Sequence, residues 1–177
     1  MPRPSPGTID RHERRLCLAL NRWAARAAVV RLFRLASRLG DGVAWYVLML
    51  LLVLLGGRSG LHAALHMVAI GTVSALLYRS LKQWTRRPRP FRAHADIVAY
   101  VAPLDEFSFP SGHTLHASGF TCVAVAWFPA LAPGLVPFAL LVAVSRIVLG
   151  VHYPSDVLAA AVLGIGLAGA SFALLPA

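Results

Sequence analysis

Apolar positions in this chain come in long blocks, with the polar residues gathered between them. Residues 43–55 form an unbroken apolar run. With its flanks it reaches the roughly 20 residues that one bilayer crossing needs. Residues 61–81, 114–128, 138–149 and 157–175 have the same character, so five spanning helices are expected. "GGRSG" at 56–60 reads as a tight turn, and 129–137 as a short apolar turn before the fourth span. Residues 9–39 differ. At about 100° per residue, Arg11, Arg15, Arg22 and Arg26 share one face, with Leu16, Leu20, Trp23 and Ala27 across from them. Arg31, Arg34 and Arg38 share a second face, rotated by more than a quarter turn. This predicts two short amphipathic helices lying on the membrane, with a break near Ala28–Val30. A true span here would carry Arg22, Arg26, Arg31 and Arg34 into hydrocarbon, at a cost that disfavours it.

The expected fold class is therefore all-α: an integral-membrane helical bundle of five spanning helices plus N-terminal amphipathic interfacial helices, with six spans as the alternative. Residues 1–8, Pro-rich, are expected to be disordered, 9–39 to form the amphipathic basic segment, and 40–177 the transmembrane domain, with "GDG" at 40–42 breaking the helix before it.

Composition supports this reading. The chain is 58% hydrophobic and 14% charged, which excludes an ordinary soluble domain. Its net charge of +10 does not suggest a nucleic-acid binder, because the arginines are split between the N-terminal segment and one loop. Such patches beside apolar segments suit anionic headgroups and phosphate-bearing substrates. Cys17 and Cys122 lack metal-ligand spacing, and a disulfide framework is not expected. Residues 1–15 lack the pattern of a cleavable signal peptide, so insertion is expected to rely on the first spanning helix.

Between the second and third spans, residues 82–110 hold five basic residues, four prolines and three acids. A loop of that length suggests function. Counting crossings places it on the same side as the junction at 150–155, where "SRIVLGVHYPSD" puts an arginine, a histidine and an aspartate among apolar residues. Ionisable groups at that depth mark a working site by default. Three clusters meet there. "KQWTRRPRP" at 82–90 contains the chain's one lysine, Lys82, and Arg89, whose planar fork suits phosphate oxygens; a headgroup-binding basic patch is the plainer alternative. "FPSGHT" at 109–114 opens the third span, leaving backbone N–H groups free at a helix N-terminus. There the Ser111 hydroxyl can donate a further hydrogen bond, Gly112 allows close approach and His113 can supply a proton; a simple N-cap is the alternative. In the third cluster Arg146 ends span four. Asp156 follows His152 by four residues, close enough to accept a hydrogen bond from one imidazole nitrogen and fix the tautomer. A capping Asp beside a satisfied buried His is the alternative.

Together these spacings are Lys82, six residues, Arg89-Pro90; Pro110-Ser111-Gly112-His113; and Ser145-Arg146, five residues, His152, three residues, Asp156. The pattern closely resembles the tripartite signature of the type 2 phosphatidic acid phosphatase (PAP2) family, related to vanadium haloperoxidases and bacterial acid phosphatases. The resemblance implies a metal-independent phosphatase without cofactor, acting through a phosphohistidine. It makes residues 82–113 the active-site loop, His152 the nucleophile, Asp156 its orienting carboxylate and His113 the general acid. Lys82, Arg89, Ser111, Gly112 and Arg146 would hold the phosphate. Because His152 must be neutral and His113 protonated, a bell-shaped pH profile is expected.

The expected substrate is a lipid phosphate or diphosphate. The small size resembles short bacterial undecaprenyl-diphosphate phosphatases, with phosphatidate and phosphatidylglycerophosphate as alternatives. The expected setting is a bacterial-type inner membrane with the site on the periplasmic or extracellular face, without nucleic acid or an obligate protein partner. A haloperoxidase is disfavoured because those relatives are soluble and larger. A non-catalytic lipid-binding or transport protein would be expected to have lost a reactive group. His62 and His66 share a helical face without a carboxylate and are read as structural or interfacial. His116 is a pocket-lining candidate, while Arg79, Arg86, Arg87 and Arg92 flank the site. Asp105 and Glu106 stand near its entrance.

Overall fold

The computed structural model describes residues 8–174. Residues 1–7, nearly all of the segment expected to be disordered, and 175–177 lie outside the described residues. The described chain forms eight α-helices and no strand: α1 (Thr8–Trp23), α2 (Ala27–Arg38), α3 (Ala44–Leu55), α4 (Gly57–Thr85), α5 (Pro90–Ala93), α6 (Gly112–Trp127), α7 (Ala132–Val148) and α8 (Pro154–Ser171). Four helical stretches, Ala27–Leu55, Gly57–Ala93, Pro129–Val148 and Pro154–Ser171, are long and apolar enough to cross a membrane. Leu50, Leu54, Leu76, Leu140, Leu158 and Val162 are each more than half exposed on their outer faces. So much apolar surface suits lipid better than water. The protein is an all-helical, multi-pass membrane bundle.

The central helix is α6, whose 16 residues bury Leu115, Ala117, Gly119, Phe120, Val123 and Ala124 against α4, α7 and α8. Small residues let it approach α8 closely: a Cβ added at Gly164 would lie 2.1 Å from Ser118 Oγ and 2.5 Å from the Leu115 carbonyl oxygen. Such small-residue crossings drive helix association where no hydrophobic force separates helix from lipid. Trp45 fills the junction of α3, α6 and α7, its ring centroid 5.5 Å from Phe120 and 5.4 Å from Phe138. Its indole N–H donates to the Gly40 carbonyl at 3.1 Å, as a buried indole requires.

Several boundaries differ from expectation. The break between the first two helices falls at residues 24–26 rather than 28–30. The alanines there carry no local stop signal, and the first of them, Ala24, is buried. "GDG" does kink the chain, but as one wide π-helical turn, Leu39–Val43, that joins α2 directly to α3. The turn at 56–60 contracts to Gly56, with α4 beginning at Gly57. Pro137 does not end a turn; it lies inside α7. The N–H it lacks would have bonded four residues back, near the helix start, where the loss matters least.

Helix α1 presents three faces. Glu13, Cys17 and Asn21 are buried, Arg11, Arg15 and Arg22 are exposed, and Leu16 and Trp23 form an uncovered apolar edge. Asn21 anchors it: its Nδ2 donates to the carbonyls of Val98 and Val148, and its Oδ1 accepts from the Val98 N–H, each at 2.9 Å. The amphipathic helix is thus docked on the 82–110 loop and the end of α7.

Candidate active site

The turn between α7 and α8 is built around one carbonyl. Arg146 O accepts from the N–H groups of Val151 and His152, at 3.2 and 3.1 Å. Gly150 makes the turn possible, with φ +76° and no room for a Cβ, which would lie 2.3 Å from the Val98 carbonyl oxygen. At the start of α8, Asp156 Oδ2 accepts from the Tyr153 N–H at 2.8 Å, half of a capping box. Ser111 N–H donates to the Asp156 carbonyl at 3.2 Å, which ties the start of α6 to the start of α8.

This scaffold brings Lys82, Arg89, Gly112, His113, Arg146 and His152 onto the wall of one cavity of about 1120 Å³. Lys82, Arg89, Arg146 and His152 are all buried. Arg89 is fixed by its Nη1 donating to the Val151 carbonyl at 2.8 Å and its Nε to the Asp105 carbonyl at 3.1 Å. The same Nη1 lies 3.3 Å from His152 Nε2. A guanidinium has no acceptor, so this contact places a lone pair at Nε2 and the ring proton at Nδ1. Burial first, and then the charges of Arg146, Arg89 and Lys82, push the His152 imidazole well below the ordinary histidine range. Arg146 donates to Ser37 Oγ on α2. Its Nε and His152 Nδ1 are buried without a hydrogen-bond partner among the described residues.

Two expectations are corrected here. The direct hydrogen bond from His152 to Asp156 is not formed: Nδ1 lies 3.6 Å from Oδ2, because that oxygen caps α8 instead. Ser111 is fully buried and does not face the cavity. Its Oγ accepts from Thr114 Oγ1 at 3.0 Å and lies 3.5 Å from the Thr114 N–H, so the simpler N-cap reading describes it. Asp156 also stands behind the wall, with no exposed surface.

Other contacts were not legible from the motifs. Asp41, from the kink between α2 and α3, places Oδ1 3.3 Å from His113 Nε2. Asp105 bridges two phosphate-binding candidates, Lys82 of α4 and Arg89 of the loop, with Oδ2 2.5 Å from Lys82 Nζ and Oδ1 2.8 Å from Arg89 Nη2. Partial burial pushes its carboxyl up, but the hydrogen bond and charge of Lys82, with Arg89, outweigh that and hold it below the usual carboxylate range. Arg87 binds Asp156 Oδ1 at 2.7 Å and Glu13 of α1 at 2.5 Å. These partners lie 16 to 74 positions apart in no recurring spacing; of them the sequence marked only Asp105, as near the entrance, and Arg87, as flanking the site. His116 does line the cavity, its ring nitrogens facing the Gly112 and Gly71 carbonyls at 3.0 and 3.2 Å. His66 lies at the other end of the bundle, bonded to Ser171 and Trp127.

Below the cations the cavity continues into an apolar groove lined by Trp45, Met49, Val68, Leu76 and Phe120. A cationic head joined to such a groove suits an amphiphilic phosphate. Comparison with known proteins agrees. Residues 60–177 match the PAP2 superfamily model. A lipid A 1-phosphatase of Rhizobium johnstonii is 32% identical over 174 residues, covering 86% of this chain and 68% of the relative. Phosphatidylglycerophosphatase B of Bacillus subtilis is 33% identical over 146 residues, covering 70% and 65%. Among solved structures, Aquifex aeolicus LpxE superposes with a TM-score of 0.79 at 27% identity, over 90% of this chain and 93% of that one. A transmembrane PAP2-type phosphatidylglycerolphosphate phosphatase from Bacillus subtilis superposes at 0.76 and 23% identity, over 96% and 87%, which shows the shared fold. Family model, relatives and fold agree: this chain belongs to the PAP2 superfamily, as a membrane phosphoric-ester hydrolase of its lipid phosphatase branch.

Proposed function

We propose that this protein removes the terminal phosphate from a lipid diphosphate, with undecaprenyl diphosphate the first substrate to test, through a phosphohistidine on His152. The observation that carries this reading is the continuity of the cation cluster with the apolar groove in one cavity. In the first step the His152 Nε2 lone pair forms the N–P bond while the P–O bond to the leaving group breaks, and His113 gives that oxygen its proton. In the second, water attacks phosphorus, the P–N bond breaks and His113 takes the proton from water. Lys82, Arg89, Arg146 and the Gly112 N–H stabilise the transferring phosphoryl oxygens, the main requirement of a loose transition state. Asp156 supports the positive charge that develops on His152, and Ser111 serves as the cap that holds α6 in place. Arg79, Gln83 and Arg86 line the same cavity beside Lys82, where a second phosphate would lie; this favours a diphosphate. Five crossings, α1 at the headgroup level and a site on the periplasmic or extracellular face complete the reading.

The relatives favour a second reading, a lipid monophosphate. Their names include lipid A 1-phosphatase and phosphatidylglycerophosphatase B as well as undecaprenyl-diphosphatase. The test is phosphate release by the detergent-purified full chain, with EDTA present, from undecaprenyl diphosphate, phosphatidate, phosphatidylglycerophosphate and lipid A. Preference for the diphosphate supports the first reading, and preference for a monoester replaces it with the second. No release from any of them would sink the catalytic assignment and favour a transport protein.

A further inference from the structure

Glu13 belongs to α1, outside the matched family region, yet it is buried to 8% exposure. Burying a carboxylate is costly unless it is paired, and Glu13 is paired twice. Its Oε2 lies 2.5 Å from Arg87 Nη2, and its Oε1 accepts from the Ser155 N–H at 3.0 Å. Arg87 Nη1 donates to Ser155 Oγ and to Asp156 Oδ1, both at 2.7 Å. Its guanidinium also lies 4.1 Å from the centroid of the Tyr153 ring. With Oδ1 taken by Arg87, Asp156 is held with Oδ2 toward the Tyr153 N–H and His152 Nδ1.

The charges explain why both partners are needed. Without Glu13, Arg87 and Asp156 would form a neutral pair; with it the trio carries one net negative charge. His152 otherwise faces Lys82 from α4, Arg89 from the loop, His113 from α6 and Arg146 from α7. An imidazole that takes a phosphoryl group on Nε2 becomes cationic in that setting, and the trio is the countercharge behind it. We infer that Glu13 and Arg87 are positioning residues for phosphoryl transfer: Arg87 orients Asp156 toward His152, and Glu13 restores the negative charge that Arg87 would cancel. This rests on His152 as the nucleophile.

The test compares the wild-type full chain in detergent with Glu13→Gln, which keeps shape but removes charge. Arg14→Gln, on the same helix as Glu13, serves as control, breaking the exposed ion pair of Arg14 with Asp96 of the loop. Two readouts are taken: phosphate release against pH, and binding of orthovanadate and of sulfate. Vanadate can bond to the imidazole nitrogen, whereas sulfate meets only the surrounding cations. For Glu13→Gln, kcat is expected to fall about tenfold with KM within about twofold. The acid limb of kcat/KM should move to lower pH, since losing a negative charge favours neutral His152. Vanadate binding should weaken about tenfold while sulfate binding holds, and Arg14→Gln should match the wild type in each measurement. An unchanged kcat and vanadate affinity, or parallel loss of vanadate and sulfate binding with a lowered melting midpoint, would overturn the inference and leave α1 a structural brace. If the wild type releases no phosphate from any lipid, the phosphatase reading fails, while the vanadate–sulfate comparison still decides the role of Glu13. A wild type that does not favour vanadate over sulfate overturns both.

Discussion

His152 and His66 are both buried, at 2% and 3% exposure, yet their surroundings differ in kind. At His66 every hydrogen-bonding atom is used. Trp127 Nε1 donates to its Nδ1 at 3.3 Å, which puts the proton on Nε2, and Nε2 meets Ser171 Oγ at 2.6 Å. Ser171 in turn donates to the Ala168 carbonyl at 2.7 Å. At His152 the Nδ1 atom lacks a partner among the described residues, and Nε2 faces cations. Buried polar groups are normally satisfied, and those that are not call for a reason. At one end of the bundle the histidine holds helices together; at the other, Arg146 Nε and His152 Nδ1 stand buried without partners among the described residues, as the proposed anion site requires.

His152→Ala should cut phosphate release by about 10³-fold or more while the protein remains folded, since it removes the proposed nucleophile. Comparable release by the variant would erase the contrast between the two histidines. Arg146→Lys keeps a charge but loses the planar fork, and a loss of about 10²-fold in kcat is expected; an active variant would assign Arg146 to packing against Ser37. His66→Ala should leave activity per folded molecule within about twofold but cost ~1–3 kcal/mol of stability, because Trp127 and Ser171 lose their partner. Thermal melting in detergent checks this, and a loss of activity without a loss of stability would contradict it. The pH profile sharpens the contrast further. With His152 held well below the ordinary range, the proposed nucleophile is already neutral at about pH 6.5, so the acid limb of kcat/KM should lie well below that value. A limb at or above it would show that another group limits the reaction. The smallest effect is expected of Asp105→Asn. Removing the carboxylate from Lys82 and Arg89 should tighten inhibition by inorganic phosphate roughly fivefold, and unchanged inhibition would show that Asp105 does not compete for those cations.

Much of this was readable in the chain. The apolar blocks marked the apolar helices of the bundle because a bilayer allows few alternatives, although four stretches rather than the expected five are long and apolar enough to cross, and the three motifs named the histidines and cations that the fold gathers. Residues whose partners lie far away in sequence were harder to read. Glu13, on a helix with many arginines, looks like one more solvated charge until Arg87 is brought beside it. Asp41 looks like part of a helix break, and only the kink shows that it faces His113. Pro137 read as a turn because proline alone does not reveal how near a helix start it lies. Ser111 and Asp156 show a further limit. The motif identifies the residue, but only coordinates show which of its atoms are already committed to a helix terminus.

The close crossing at Gly164 has a mechanical consequence. His113 opens α6, and His152 stands just before α8, so the gap between the two imidazoles depends on how those two helices are set against each other. They are clamped in the apolar interior, where Gly164 meets Ser118 and the Leu115 carbonyl, and again at the Ser111–Asp156 bond. Two clamps make the pair behave as a fixed calliper whose jaws are the histidines. The spacing of the two imidazoles is thereby gauged by a glycine that lies outside the cavity wall.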